Sequence, residues 1–585
     1  MSTSKTAPRR LLVLTALAAV IGLLGGAAAY VLLHGIALLT NVALFHRFGW
    51  DLPDFSDFHP GVGLMIVAVL GALVISTMAK WAPEIRGHGI PEAMEAILVD
   101  ESRVPPRAAV AKPISAAIAI GTGGPFGAEG PIIVTGGALG SLIGQVLPTS
   151  PSERKILLAC GAAAGMSATF GAPLAAVMLA IELLLFEFSS RAFVPLVVSS
   201  SLAAGIHSMA FGTGPLFEVP AHNYAGLDKL PFYALLGLAC GLLAVVINHG
   251  LFFIEAGFRR LPVGEFWHPA IGAVGFAAVG YFVPRALGVG YGSIGNVLAG
   301  RYALGTVVAL GVAKLLAWWV ALASGTSGGT VAPLLLISGC FGTLLGTVVE
   351  HFFPGVGVSP GAFALVAMAA TFGASVGATF TSIVFLFELT RDYQVILPMM
   401  LASVLAELVA SALMDDTLMT EKLTRHGLHV QGDYAIDVLA GTDVRDVMSR
   451  EVQTLDENAT VADARHLMEC GQHSAFPIVD HDGRCTAVVA REDLLSDALD
   501  PGAPASSAAA RDVLTIEPGR TVLEALEVIL REEVGHLPVV EDEQLVGLLT
   551  RTDVLRARSR EMDLERRQPG FRLRVRNAHL GAIRR

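Results

Sequence analysis

Between residues 11 and 414 the chain repeatedly carries uncharged apolar runs, such as "LLVLTALAAVIGLLGGAAAYVLL" and "VGLMIVAVLGALVISTMA". A helix needs roughly 20 residues of this kind to cross a bilayer, and inside the hydrocarbon every backbone polar group must be satisfied internally. This part of the chain is therefore expected to be a polytopic all-α membrane domain. Composition agrees, with 53% hydrophobic and 16% charged residues in a chain of 585, values that exclude an ordinary soluble enzyme. The first run follows Lys5, Arg9 and Arg10. It is too long for a secretory signal and reads as a first membrane helix with a cytosolic N-terminus.

The net charge of −11 belongs mostly to the C-terminal third, where charge density rises after about residue 420. Acidic residues there make an ordinary solvated surface, and only the last stretch, "RRQPGFRLRVRNAHLGAIRR", is basic. That tail is expected to be disordered and suited to anionic lipid. The cysteines at 160, 240, 340, 470 and 485 form no CxxC pair, so neither a disulfide framework nor a zinc site is indicated. No catalytic triad, phosphate-binding loop or metal cluster supports an enzyme.

The membrane part repeats itself. A shift of 202 residues lays "GAEGPIIVTGGALGSLIGQV" (127–146) on "GTVAPLLLISGCFGTLLGTV" (329–348) and Lys112 on Lys314. A shift of 206 lays "AAAGMSATFGAPLAAVMLAIEL" on "AMAATFGASVGATFTSIVFLFEL", with Glu182 on Glu388. Two halves, about 11–215 and 225–420, share one plan, as in transporters whose repeats are often inverted and whose site lies where broken helices meet near the midplane.

Three Gly/Pro clusters, "GHGIPE" (87–92), "GAEGP" (127–131) and "SGGTVAP" (327–333), fall inside spanning sequence and have the pattern of helix starts. A helix that starts at membrane depth leaves free amides, which is tolerated only in buried protein or beside a wet cavity. Amides at the positive end of a helix dipole attract an anion. The plainer reading of one such cluster is close helix packing through small residues; that reading weakens when three recur and two are related by the repeat.

These residues resemble the CLC chloride channels and chloride/proton antiporters over roughly residues 10–420. Gly87-His88-Gly89-Ile90-Pro91 is similar to the family's GSGIP signature, Gly127-Ala128-Glu129-Gly130-Pro131 to GREGP, and Gly328-Gly329-Thr330-Val331-Ala332-Pro333 to GGIFAP. The resemblance implies about eighteen helices, an inverted repeat, and a homodimer with one anion pathway per subunit. It implies a gating role for Glu129, a tethered carboxylate able to occupy the anion site until protonation releases it. The bland alternative is a buried glutamate paired with Lys112. Lys112 itself matches a family lysine expected to shape the potential along the pathway. Backbone at Gly89, Ile90, Gly127, Gly130, Thr330 and Val331 is expected to bind the anion.

The chain departs from the family at three places. Where the antiporters carry an "EE" pair whose second member relays protons, this chain has Glu182-Leu183, and leucine cannot carry a proton. His88 replaces a serine that contacts chloride, and Met419 stands where an inner-gate tyrosine is expected. An imidazole can donate N–H to an anion and charge near neutral pH, so His88 is either a replacement donor and inner proton group or a neutral histidine satisfied by a carbonyl.

Residues 444–555 repeat at about 60 residues: "TVADA" with "TVLEA", "FPIVD" with "LPVVE", "AVVARED" with "GLLTRTD". Each copy reads as a helix, a hairpin of apolar strands and a closing helix, giving an α/β module that resembles a CBS pair. The expected domains are a cytosolic N-terminus (1–10), a membrane domain (11–420), a linker (421–443), two CBS domains (444–498 and 511–558) and a basic tail (559–585). No cofactor is required for transport. The CBS resemblance implies an adenine nucleotide (ATP, ADP or AMP), with Thr550 and Asp553 towards phosphate and ribose; Asp493 is kept in the first copy, where Ala490 replaces the hydroxyl. A pair that only pads a dimer interface is the alternative.

The expected function is transport of chloride or a similar small anion by a homodimer in a lipid bilayer, the bacterial inner membrane, with both termini cytosolic. Leu183 favours a passive channel, with chloride/proton exchange by another inner route as the alternative. A membrane-anchored nucleotide sensor is a second alternative and a divalent-cation transporter a weaker one.

Overall fold

The computed structural model describes residues 6–220, 226, 228–425, 442–470, 473–495, 499–509, 511 and 513–557. Lys5, most of the expected linker and the basic tail 559–585 lie outside the described residues. The chain divides into two compact units, Met1–Asp433 and Tyr434–Arg585.

The first unit is helical throughout. Its first half comprises α1 (Thr6–Phe45), α2 (Val62–Trp81), α3 (Ile90–Leu98), α4 (Pro106–Gly121), α5 (Glu129–Val146), α6 (Pro151–Phe170), α7 (Pro173–Leu179, continued by a π-helical turn over Ala180–Leu185) and α8 (Ser190–Phe211). Its second half comprises α9 (Leu230–Arg259), α10 (His268–Phe282), α11 (Tyr291–Leu298), α12 (Leu304–Ala323), α13 (Val331–Phe352), α14 (Pro360–Val376), α15 (Thr379–Thr390) and α16 (Ile396–Leu413), with α17 (Glu421–Arg425) after it. The order of long, short and broken helices is the same in both halves. Packing repeats too: α1 lies on α6 and α8 as α9 lies on α14 and α16, and α5 lies on α6 as α13 lies on α14.

Among the described residues, seven helices are long and apolar enough to cross a membrane. They leave large apolar side chains such as Val62 and Phe253 78% and 79% exposed, as expected where the surrounding solvent is lipid. The chain is a multi-pass membrane protein. By contrast α3 and α11, of 9 and 8 residues, are too short to span; at about 1.5 Å per residue each reaches less than halfway.

Close packing inside each half depends on glycine. A β-carbon at Gly140 would sit 2.0 Å from the Leu157 carbonyl oxygen, and one at Gly342 would sit 2.4 Å from that of Phe363. These glycines are equivalent in the repeat, and they bring α5 against α6 and α13 against α14 at backbone distance.

The halves are joined by an exchange of carboxylates. Glu182, in the π-helical turn after α7, accepts from Phe380 N (3.3 Å), Thr381 N (2.9 Å) and Thr381 Oγ1 (2.6 Å) at the start of α15. Glu388, its equivalent, accepts from Leu174 N (3.0 Å) and Ala175 N (2.7 Å) at the start of α7. Each glutamate satisfies amides that have no partner within their own helix and neutralises the positive end of its dipole. A contact of i with j′ matched by j with i′ is the mark of a two-fold relation. Replacing Glu182 with Ala strips α15 of charge-assisted bonds, each worth about 1.5–3 kcal/mol, and is expected to lower the apparent Tm in detergent; Glu182→Gln should lower it less.

Among its described residues the second unit holds two small sheets. β1 (Leu455–Asp456) pairs in parallel with β2 (Ala475–Val479), which pairs antiparallel with β3 (Cys485–Ala490). β4 (His536–Glu541) pairs antiparallel with β5 (Gln544–Thr550). Helices α18 (Val444–Val447), α19 (Val461–Cys470) and α20 (Val522–Arg531) accompany them. The two hairpins meet through Leu545 N on Gly483 O at 3.1 Å and an Arg484–Glu543 pair at 2.7 Å.

Candidate functional site

The three Gly/Pro clusters become the starts of α3, α5 and α13, and they converge. Gly127 N donates to Gly329 O (3.1 Å) while Gly329 N donates to Gly127 O (2.8 Å), and Gly87 bridges to Ser327. A β-carbon at Gly130 would fall 1.7 Å from the His88 carbonyl oxygen, so the α3 and α5 starts touch backbone to backbone. Gly89 has φ +106°, a conformation that glycine adopts freely. Thr330 and Val331, 2% and 1% exposed, are the N-cap and first residue of α13, where amides have no intrahelical acceptor.

A fourth start joins them. Lys112 Nζ, fully buried, donates to Ile85 O (2.8 Å) and Gly87 O (2.9 Å). Lys314 Nζ, also fully buried, donates to Ala286 O (3.1 Å) and Gly288 O (2.7 Å). The lysines therefore hold equivalent turns, and the second turn leads into α11 through Gly290, at φ +88°. Sequence reasoning missed this start because α11 has no proline. The signal was present: "GVGYG" (288–292) lies on "GHGIP" (87–91) at a shift of 201 with both glycines in register.

Glu129 is the first residue of α5 and is 0% exposed. Its Oε1 accepts from the Tyr291 hydroxyl at 3.0 Å. Its Oε2 makes no hydrogen bond and lies against Gly127 and Gly329, over the junction of the helix starts. Lys112 is turned to backbone carbonyls, so the pairing of Glu129 with Lys112 is not formed; the partner is Tyr291.

His88 lines a cavity of about 300 Å³ together with Arg86, Gly87, Glu92, Leu418 and Lys422. Its Nδ1 is buried without a hydrogen-bond partner. Glu92 Oε2 accepts from Gly89 N at 2.6 Å while its Oε1 receives Lys422 Nζ at 2.9 Å. Glu92 thus fills one amide of the α3 start. Met419 is fully buried, and its neighbour Leu418 faces the cavity instead. Leu183 is 4% exposed in the π-helical turn, among Ile181, Leu184 and Leu185.

In the second unit, Asp553 Oδ2 accepts from Thr550 N (3.0 Å) and Thr550 Oγ1 (2.7 Å). Asp493 Oδ2 accepts from Ala490 N (2.8 Å). Both carboxylates brace the turn after a strand, and only the second copy has a hydroxyl there.

The voltage gated chloride channel family model matches residues 70–411, and the CBS domain model matches 444–500 and 505–560. A relative named H(+)/Cl(-) exchange transporter ClcA, from Yersinia pestis bv. Antiqua (strain Angola), is 32% identical over 424 residues, covering 68% of this chain and 84% of that protein. Among solved structures, a slow cyanobacterial Cl−/H+ antiporter shares the fold at TM-score 0.63 and 24% identity, covering 71% of this chain and 97% of that one. A eukaryotic CLC transporter does so at TM-score 0.59 and 20% identity, covering 93% and 98%. The chain belongs to the CLC family, with a C-terminal pair of CBS domains.

Replacing either buried lysine with Met leaves two carbonyls unsatisfied at a cost of about 1–3 kcal/mol each. Lys112→Met and Lys314→Met are each expected to lower the apparent Tm measurably while the purified protein remains a single species on size exclusion.

Proposed function

We propose that this chain carries chloride, or a similar small anion, across a membrane along a pathway of converging helix starts gated by Glu129. The observation that carries the reading is the seat of Glu129: a fully buried carboxylate with one oxygen unbonded over the Gly127–Gly329 junction. Amides of Ile90, Gly130, Thr330 and Val331 supply dipoles without a full charge, so an anion is held yet released; the expected amides of Gly89 and Gly127 are already taken by Glu92 and by the Gly329 carbonyl. When Glu129 protonates, its negative charge leaves the seat and an anion takes its place.

Different observations favour two modes. Leu183, at the expected inner relay position, carries no titratable group, which favours passive conduction. The Yersinia relative's name favours exchange with protons, and His88, with Nδ1 unpartnered beside the cavity, is the inner group able to donate to chloride or pass a proton. Protein in liposomes under a chloride gradient separates the modes when chloride efflux and external pH are recorded together. Chloride-driven proton movement lost in Glu129→Gln means exchange; efflux with no proton movement means a channel; no anion flux sinks the transport reading. His88→Ala is expected to raise half-saturating chloride about fivefold, the loss of roughly one hydrogen bond.

The chain acts as a homodimer with both termini in the cytosol, and the CBS pair binds an adenine nucleotide at Thr550 and Asp553 of the second copy. Full-length protein in detergent is expected to bind ATP, with Thr550→Ala weakening the Kd about tenfold; no saturable binding would leave the pair a packing module.

A further inference from the structure

The repeat relates Glu129 to Val331 at a shift of 202, and Tyr291 to Ile90 at a shift of 201. Thus the side-chain hydrogen bond between the α11 and α5 starts, Tyr291 with Glu129, has two apolar residues as its counterpart in the other half. The two-fold plan is broken at both ends of a single contact. We propose that Tyr291 is the positioning residue of the gate: its hydroxyl holds the charged Glu129 carboxylate in its seat over Gly127 and Gly329 and so sets the pH at which the gate releases. This inference rests on Glu129 being the gate.

The hydroxyl is held in place for the task. Tyr291 is the first residue of α11, and the turn before it is anchored by the two carbonyl bonds of Lys314. Its ring packs edge-on against Phe170 and Phe217, with centroids 6.1 and 6.4 Å away. Little rotamer freedom is left to lose when the O–H meets Oε1. A hydrogen bond donated to a carboxylate favours its charged form over the protonated one. Lys314, from α12, is committed to the carbonyls of Ala286 and Gly288 and is unchanged by substitution at Tyr291. On the α3 and α4 side Lys112 is committed to carbonyls, His88 faces the cavity, and Glu92 is committed to Gly89 and Lys422.

The test is Tyr291→Phe, which keeps the ring and removes only the hydroxyl. Chloride efflux from liposomes is measured across a pH series, equal on both sides, with valinomycin and a protonophore present, in the native and Glu129→Gln backgrounds. The midpoint of the pH curve is expected to move up by about one unit, the tenfold effect of one bond to a charged group, with no effect of the same change in Glu129→Gln. An unmoved midpoint, or an equal change of flux in both backgrounds, overturns the inference and leaves Tyr291 a packing residue. Glu129→Gln retaining the native pH curve overturns the gate itself. Size exclusion and the apparent Tm of the Phe variant show that it folds.

Discussion

A helix that begins at membrane depth exposes amides where water does not reach, and much of this structure answers the question of what those amides meet. Four starts, those of α3, α5, α11 and α13, gather around one junction. The junction holds because Gly127 and Gly329 exchange backbone bonds and Gly130 admits the His88 carbonyl at a distance no side chain would allow. The remaining amides form a field of partial positive charge. Glu129 is the anion that the chain itself supplies to that field.

The same economy of charge runs through the rest of the membrane unit. Lys112 and Lys314 are fully buried, yet each spends its donors on the carbonyls of the turn that aims a helix start. Glu182 and Glu388 satisfy the starts of α15 and α7 by crossing from one half to the other. Charged groups taken from water are costly unless hydrogen-bonded; the lysines meet that cost within their own halves, and the part-buried Glu182 and Glu388 meet it across the two. Glu92 and Lys422 do this locally, capping α3 beside the cavity that His88 lines.

Much of this was legible in the chain. The apolar runs gave the spans, the Gly/Pro clusters gave three starts, and the lysines and glutamates matched under the repeat. What escaped was the α11 start, because glycine without proline is a weak signal in a membrane helix, where glycine also serves packing. The alternative reading, Glu129 paired with Lys112, is not formed. Two buried charges in one sequence region invite pairing, but Lys112 is 17 residues upstream on a different helix, and the carbonyls of residues 85–87 reach it first.

By itself the sequence determined a membrane protein with an internal repeat, broken helices and one unusual carboxylate, because hydropathy, glycine and proline act locally along the chain. Only the tertiary structure decided which helix starts share one point, which carbonyls take the lysines, and that a tyrosine 162 residues from Glu129 is its hydrogen-bond partner. Those outcomes depend on how the two halves are folded onto each other. No local propensity encodes the distance between residues that meet only after the halves have packed.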